Sequence, residues 1–308
     1  MFDWLRYLPV TLQARIDNSS HVVPKGPYFS KLRSQTWCIG DSRFLFKAPW
    51  SNPVFGSGQY RSMVQSHSSG ANNILNYSLK YVDESIMPNR HWQLGAFYYR
   101  RWYFVGPWFS GSKARLSMSG NIYGQTTRRD FAGTSFFHPR VFETAIADYL
   151  SSLYGSHKIG RNARYRGPLN WKVIPISSTV QAASFDIFDA QNTELARLIL
   201  FPVSHDRFVC ISFRGIYRRE ANYDQAPLIQ LMESIVNSFR LELGGAMQSQ
   251  WNEVLAYCPD MRLTSEYGEF QWPIKPDEVG RATASSSSAA PSKSPMISAE
   301  RKSIEIKR

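Results

Sequence analysis

The chain has 308 residues, 43% of them hydrophobic and 14% aromatic, and a formal net charge of +12. That is enough apolar side chain for a buried core, which excludes a globally disordered chain and allows one large domain or two small ones. Residues 90–172 carry thirteen Lys and Arg against Asp130, Glu143 and Asp148, and so hold ten of the twelve excess positive charges, whereas 246–280 is acidic by four.

Residues 1–35 mix apolar pairs with Pro9, Pro24 and Pro27 and read as an irregular segment. Short strands are predicted over 36–39 and 43–48, on either side of the turn pair Gly40 and Asp41. The Ser, Gly, Pro and Asn-rich stretch 49–72 reads as a long loop. From Ile74 the pattern turns to period two, with Leu75, Tyr77, Leu79 and Tyr81 alternating with Asn76, Ser78 and Lys80, as on a half-buried strand. Residues 96–105 and 114–122, separated by a Gly/Pro/Ser stretch, predict a long hairpin. Within its first arm Arg100 and Arg101 point to opposite faces, because side chains alternate along a strand.

The first helix is predicted over 139–154, where Phe142, Ala145, Ile146, Tyr149, Leu150 and Leu153 recur at three- and four-residue spacing between Pro139 and Gly155. A basic loop, 156–168, leads to four strands over 171–176, 180–188, 195–201 and 208–213. A second helix spans 225–239, with Asp224 as its N-cap and Pro227 in its first turn, and a shorter one spans 246–256. The Ala/Ser/Pro/Lys-rich end, 281–308, reads as a disordered tail. Runs of strands bracketed by helices predict an α+β fold, a mostly antiparallel sheet with helices packed on one face. It occupies 36–280, as one domain or as subdomains 36–130 and 131–280.

The order over 138–243 (helix, four-strand meander, closing helix) resembles the α/β/α sandwich of the Mog1, PsbP and DcrB-like proteins. The residues that carry the resemblance are the strand end Leu200, Phe201 and Pro202, the turn from Ser204 to Arg207, the strand from Phe208 to Phe213, and the helix end from Ile235 to Phe239. The resemblance implies a domain that binds or assembles rather than catalyses, and it assigns no functional residue.

Catalytic signatures are missing. Gly106, Gly111, Ser112 and Lys113 imitate a phosphate loop, but the last two residues are reversed and a strand follows, so no helix N-terminus offers its N–H groups. The six histidines form no metal-ligand pair, and His205 with Asp206 sits where a turn needs polar residues. Cys38, Cys210 and Cys258 are odd in number and widely spaced, so neither a disulfide framework nor a metal site is expected. No apolar run reaches the roughly 18–20 residues of a membrane helix, and Asp3, Arg6 and Pro9 interrupt any signal-like stretch. A cytoplasmic location is the default expectation.

The leading functional expectation is a non-catalytic binding or assembly protein with a protein-facing surface, its partner another protein or itself. The alternative is binding of nucleic acid or another polyanion through Arg100, Arg101, Lys158, Arg161, Arg164 and Arg166, with Trp102 and Tyr165 as stacking groups. The third is an enzyme with a dispersed site. No catalytic residue, cofactor or metal is assigned.

Overall fold

The computed structural model describes residues 26–27, 32–51, 73–77, 79–81, 92–105, 112–125, 131–159, 162–189, 194–217, 224–270 and 272. Most of the expected irregular segment 1–35, most of the loop 49–72 and the tail 281–308 lie outside them. In chain order the elements are β1 (Arg33–Ile39), β2 (Ser42–Ala48), β3 (Lys80–Tyr81), β4 (Gln93–Val105), β5 (Ser112–Gly124), α1 (Pro139–Leu150), β6 (Lys158–Ile159), β7 (Asn162–Ala163), β8 (Tyr165–Pro175), β9 (Gln181–Asp189), β10 (Glu194–Pro202), β11 (Arg207–Tyr217), α2 (Ala226–Val236), β12 (Arg240–Glu242) and α3 (Gly245–Leu255). None of the described helices is long and apolar enough to cross a membrane.

The α+β class and the antiparallel pairing are as the sequence predicts. A seven-stranded sheet runs in the order β3-β4-β5-β11-β10-β9-β8, and β1, β2 and β12 form a second sheet of three. The predicted hairpin is β4 with β5, and it extends the β8–β11 meander through pairing of β5 with β11. Strands from both halves of the chain thus share one sheet.

The helices are divided between the two faces of this sheet rather than gathered on one, because its strands are apolar on both sides. Phe142, Ala145, Ile146, Tyr149 and Leu150 of α1 pack with Phe185, Leu198, Leu200, Phe208 and Cys210. The alternate residues of the same strands, Ile199, Phe201, Val209, Ile211 and Phe213, pack with Leu228, Leu231, Met232 and Ile235 of α2 and with Trp37, Phe44 and Phe46 of the small sheet. The N-cap of α2 is Gln225 rather than Asp224, because the helix starts one residue later, although the Asp224 carboxylate still accepts the Ala226 N–H at 2.9 Å.

Two local expectations change. The period-two stretch from Ile74 is a 3-10 turn over Ile74–Asn76, followed among the described residues by the two-residue β3. The Asn73 carboxamide is the cause: its oxygen accepts N–H bonds from Leu75 (3.0 Å) and Gly40 (2.8 Å), offering the backbone a local alternative to a ladder. Leu75, Tyr77 and Leu79 still pack on the core. The basic stretch expected as a loop is instead largely structured, since α1 runs into a π-helical turn (Ser151–Gly155), β6 and β7 pair, and β8 starts at Tyr165.

A β-bulge at Phe97, between the pairs Ala96 with Asn121 and Tyr98 with Gly120, sets the facing of the rest of β4. It turns Phe97 and Tyr98 into the same core. Gly120 makes room for this, because a Cβ there would lie 2.7 Å from the Phe97 ring. On the other face Phe208 is wholly buried among Trp92, Tyr123, Phe136, Phe142 and Tyr149. Phe208→Ala is expected to lower unfolding stability by about 4 kcal/mol, read from the denaturant midpoint at constant slope.

Candidate anion-binding face

The structure separates the arginines that the sequence groups. Arg100 is only 9% exposed and turns into the α2-side core, donating from Nη1 to the Pro49 carbonyl at 3.1 Å and from Nη2 to Gln35 Oε1 at 3.4 Å. Trp102 lies on the same side, wholly buried, its Nε1–H bonded to that same carbonyl at 3.2 Å. Both therefore serve the interior. Arg101 faces the α1 side, as strand alternation requires.

Arg166, with Tyr165, lies on the far-edge strand β8 and Arg164 immediately precedes it, five strands and about 24 Å from β4. Arg164 donates to Asp189 at 3.1 Å, and Arg166 grips Glu269 with two bonds of 3.0 and 3.2 Å. Tyr165 packs edge-on to Tyr154 and His157 beneath the Arg164 guanidinium. Lys158 is exposed on β6, and Arg161 lies outside the described residues. The acidic C-terminal segment thus covers part of the basic one. It is anchored by Tyr267 stacked 4.6 Å from Trp171 and by the Thr264 N–H on Glu143 at 2.6 Å.

A different set converges on the α1 side of β4, β5 and β11. Tyr99, Arg101 and Tyr103 of β4 stand beside Ser119, Ser117 and Arg115 of β5, and Ser119 and Ser117 stand beside Ser212 and Arg214 of β11. Arg101, Ser117 and Arg214 share one rung across three strands, and Arg115 is one rung further along the same face. These side chains are half-buried, and Arg214 is exposed, whereas the other half of this face is sealed by α1.

The patch is ordered by its own hydrogen bonds. Arg101 Nε donates to the Tyr99 hydroxyl, and its guanidinium lies 5.0 Å from the centre of that ring. Partial desolvation opposes its charge, but the Tyr99 and Tyr103 phenols more than offset this and hold the Arg101 pKa above its usual value. The Ser119 and Ser212 hydroxyls bond each other at 2.7 Å, and Ser117 Oγ donates to the Arg214 carbonyl at 3.3 Å. Arg115 Nε is buried without a hydrogen-bond partner. Three guanidinium groups, two phenols and three hydroxyls on one side of a rigid sheet make a surface suited to anionic groups.

Sequence reasoning found Arg101 but missed Arg115, Arg214, Tyr99 and Tyr103. The alternation Tyr99, Arg101, Tyr103 and Arg115, Ser117, Ser119 is a legible signal for polar faces. Placing Arg214 beside Ser117 takes the register of strands 97 residues apart in the chain.

His205 has a second arrangement worth testing for chemistry. Its Nδ1 lies 2.7 Å from Ser135 Oγ and its Nε2 3.5 Å from Glu253. Ser135 is 4% exposed and its oxygen also accepts the Phe137 N–H, so the trio braces the turn that starts α1. A nearby apolar cleft lined by Phe136, Phe137, Pro139, Trp251 and Met261 includes none of the three. Among the described residues no cluster of His, Cys, Asp and Glu has metal-site geometry. Comparison with protein-family models, curated proteins and solved structures finds no match for this chain.

Next to the open patch lies a buried ionisable group formed by Tyr123, Tyr149, Tyr154 and Cys210. Burial pushes the Cys210 thiol and the Tyr154 phenol up to about 12, the latter eased by Arg214, and raises Tyr123 and Tyr149 further. The folded protein therefore keeps protons that the unfolded chain releases above its ordinary thiol and phenol values of 9.0 and 10.0. The stabilisation is complete below pH 9 and is lost as pH rises through the folded values. Urea midpoints are expected to fall progressively from pH 9 to 12, with a shallower decline in Tyr154→Phe.

Proposed function

We propose that this is a non-catalytic binding protein that holds an anionic polymer on the open half of the seven-stranded sheet. One observation carries the reading: register brings Arg101, Arg115 and Arg214 into one patch, on three adjacent strands, with hydroxyl groups between them. Guanidinium groups on a rigid scaffold grip phosphate, sulfate or carboxylate oxygens in pairs and lose little freedom in doing so. The resemblance of 138–243 to domains that bind or assemble supports a non-catalytic role. Cys38, Cys210 and Cys258 are not joined in disulfides, which goes with a reducing, cytoplasmic setting.

A protein partner or a second copy of the chain is the second reading. It is favoured by Trp50 (53% exposed) and Tyr257 (64% exposed), large aromatic groups left on the surface. Trp50 lies under the Arg33 guanidinium, 4.5 Å from its ring centre, and forms an amphipathic contact point of the kind that interfaces use.

Fluorescence anisotropy of a labelled polyanion against the full chain tests the first reading. Three phosphate contacts predict an affinity that falls with salt with a log–log slope of about −2. The triple variant Arg101→Ala, Arg115→Ala, Arg214→Ala is expected to lose most of that slope and at least tenfold in affinity. Arg164→Ala with Arg166→Ala is expected to leave both nearly unchanged. No binding at low salt, or binding that the triple variant leaves intact, would overturn the proposal.

A further inference from the structure

We infer that the polymer this face takes is a single-stranded nucleic acid, laid along β4 with bases against Tyr99 and Tyr103 and its phosphates among Arg101, Arg115 and Arg214. The inference rests on the anionic-polymer reading above and adds the bases to it. Its starting point is the order Tyr99, Arg101, Tyr103 on one side of one strand. Alternate Cα atoms of a strand are about 6.8 Å apart, so Tyr99 and Tyr103 are rooted about 13–14 Å apart with Arg101 between them, its guanidinium turned over the Tyr99 ring at 5.0 Å. An aromatic, a cation and an aromatic in a straight line match the repeat of an unpaired strand, in which bases and phosphates alternate in reach of the same surface.

The neighbouring strands fit the same ligand. Arg115 stands beside Tyr103, and Arg214 lies on the rung of Arg101, so cations flank the aromatic line on one side. Ser117, Ser119 and Ser212 supply hydroxyl groups between them, able to donate or accept. A duplex is a poor fit, because its bases are stacked inside and a broad sheet does not enter its grooves. An acidic peptide or an anionic membrane would use the arginines and would make no use of the two tyrosine rings beyond their hydroxyl bonds to Arg101. The patch has no base-edge code, so the expected preference is for unpaired strands over paired ones rather than for one sequence.

Tyr99 has two roles to separate, since its hydroxyl also positions Arg101. Tyr99→Phe removes the hydroxyl and keeps the ring, and Tyr99→Leu removes both. The experiment measures binding of the full chain and of Tyr99→Phe, Tyr99→Leu and Tyr103→Leu at one salt concentration. The probes are an unpaired oligothymidylate, the same length of duplex, inorganic polyphosphate, polyglutamate, and vesicles of phosphatidylserine and phosphatidylcholine. Thermal unfolding of each variant shows that it is folded.

The expected result is unpaired DNA bound at least tenfold more tightly than duplex or polyphosphate. Each Tyr→Leu change then costs roughly tenfold on the oligothymidylate and little on polyphosphate, while Tyr99→Phe stays closer to the parent than Tyr99→Leu. Equal affinity for polyphosphate and oligothymidylate, or Tyr→Leu variants that bind DNA as the parent does, would overturn the nucleic-acid inference and leave the anionic reading standing. Binding confined to polyglutamate or to vesicles would overturn it as well. No binding to any of the five would remove both.

Discussion

The long sheet has more surface than its helices can cover. A helix of twelve residues such as α1 is about 18 Å long, whereas the thirteen-residue strands β4 and β5 run for about 43 Å. On the α2 side the small sheet makes up the difference, so β4 is buried there from Tyr98 to Phe104. On the α1 side the apolar contacts stop near Tyr123 on β5, Cys210 on β11 and Ala196 on β10, and beyond them β4, β5 and β11 carry arginine, tyrosine and serine. That shortfall is what leaves a face for a partner.

Which residues occupy the face depends on the bulge at Phe97. Without the extra residue the whole of β4 beyond it would change sides, sending Arg100 and Trp102 toward α1 and Arg101 into the α2-side core. The exchange is costly, because Trp102 fills a dry core and the Arg100 guanidinium needs the Pro49 carbonyl and the Gln35 carboxamide. Gly120 accommodates the bulge from the opposite strand by leaving space for the Phe97 ring. The chemistry of the open half-sheet thus follows from a packing decision made on its other side.

Positive charge is also sorted by what lies above it. Arg166 is gripped by Glu269 and Arg164 by Asp189, both at the β8 edge, where the C-terminal segment is tied down by aromatic stacking on Trp171 and Tyr154. The Arg166 pair is exposed and adds little stability, whereas Asp189 is buried, and together the two pairs neutralise a region that composition alone marks as the most basic. The net charge of 90–172 therefore overstates the edge of the sheet and understates its middle, where Arg214 comes from outside that stretch.

The class of fold, the long hairpin, the meander and the three helices were legible in the sequence, because hydrophobic period, proline, glycine and capping residues act over a few neighbours. The 74–81 stretch misled for an equally local reason, since Asn73 diverts the backbone while the apolar alternation continues. Alternation also determined that Arg100 and Arg101 part company, though not which of them enters the core. Only the tertiary structure decided that, together with the division of helices between two faces and the meeting of Arg101, Arg115 and Arg214. Those outcomes depend on a bulge and on the register of strands distant in the chain, and both are set by the packing of whole layers rather than by any local run of residues.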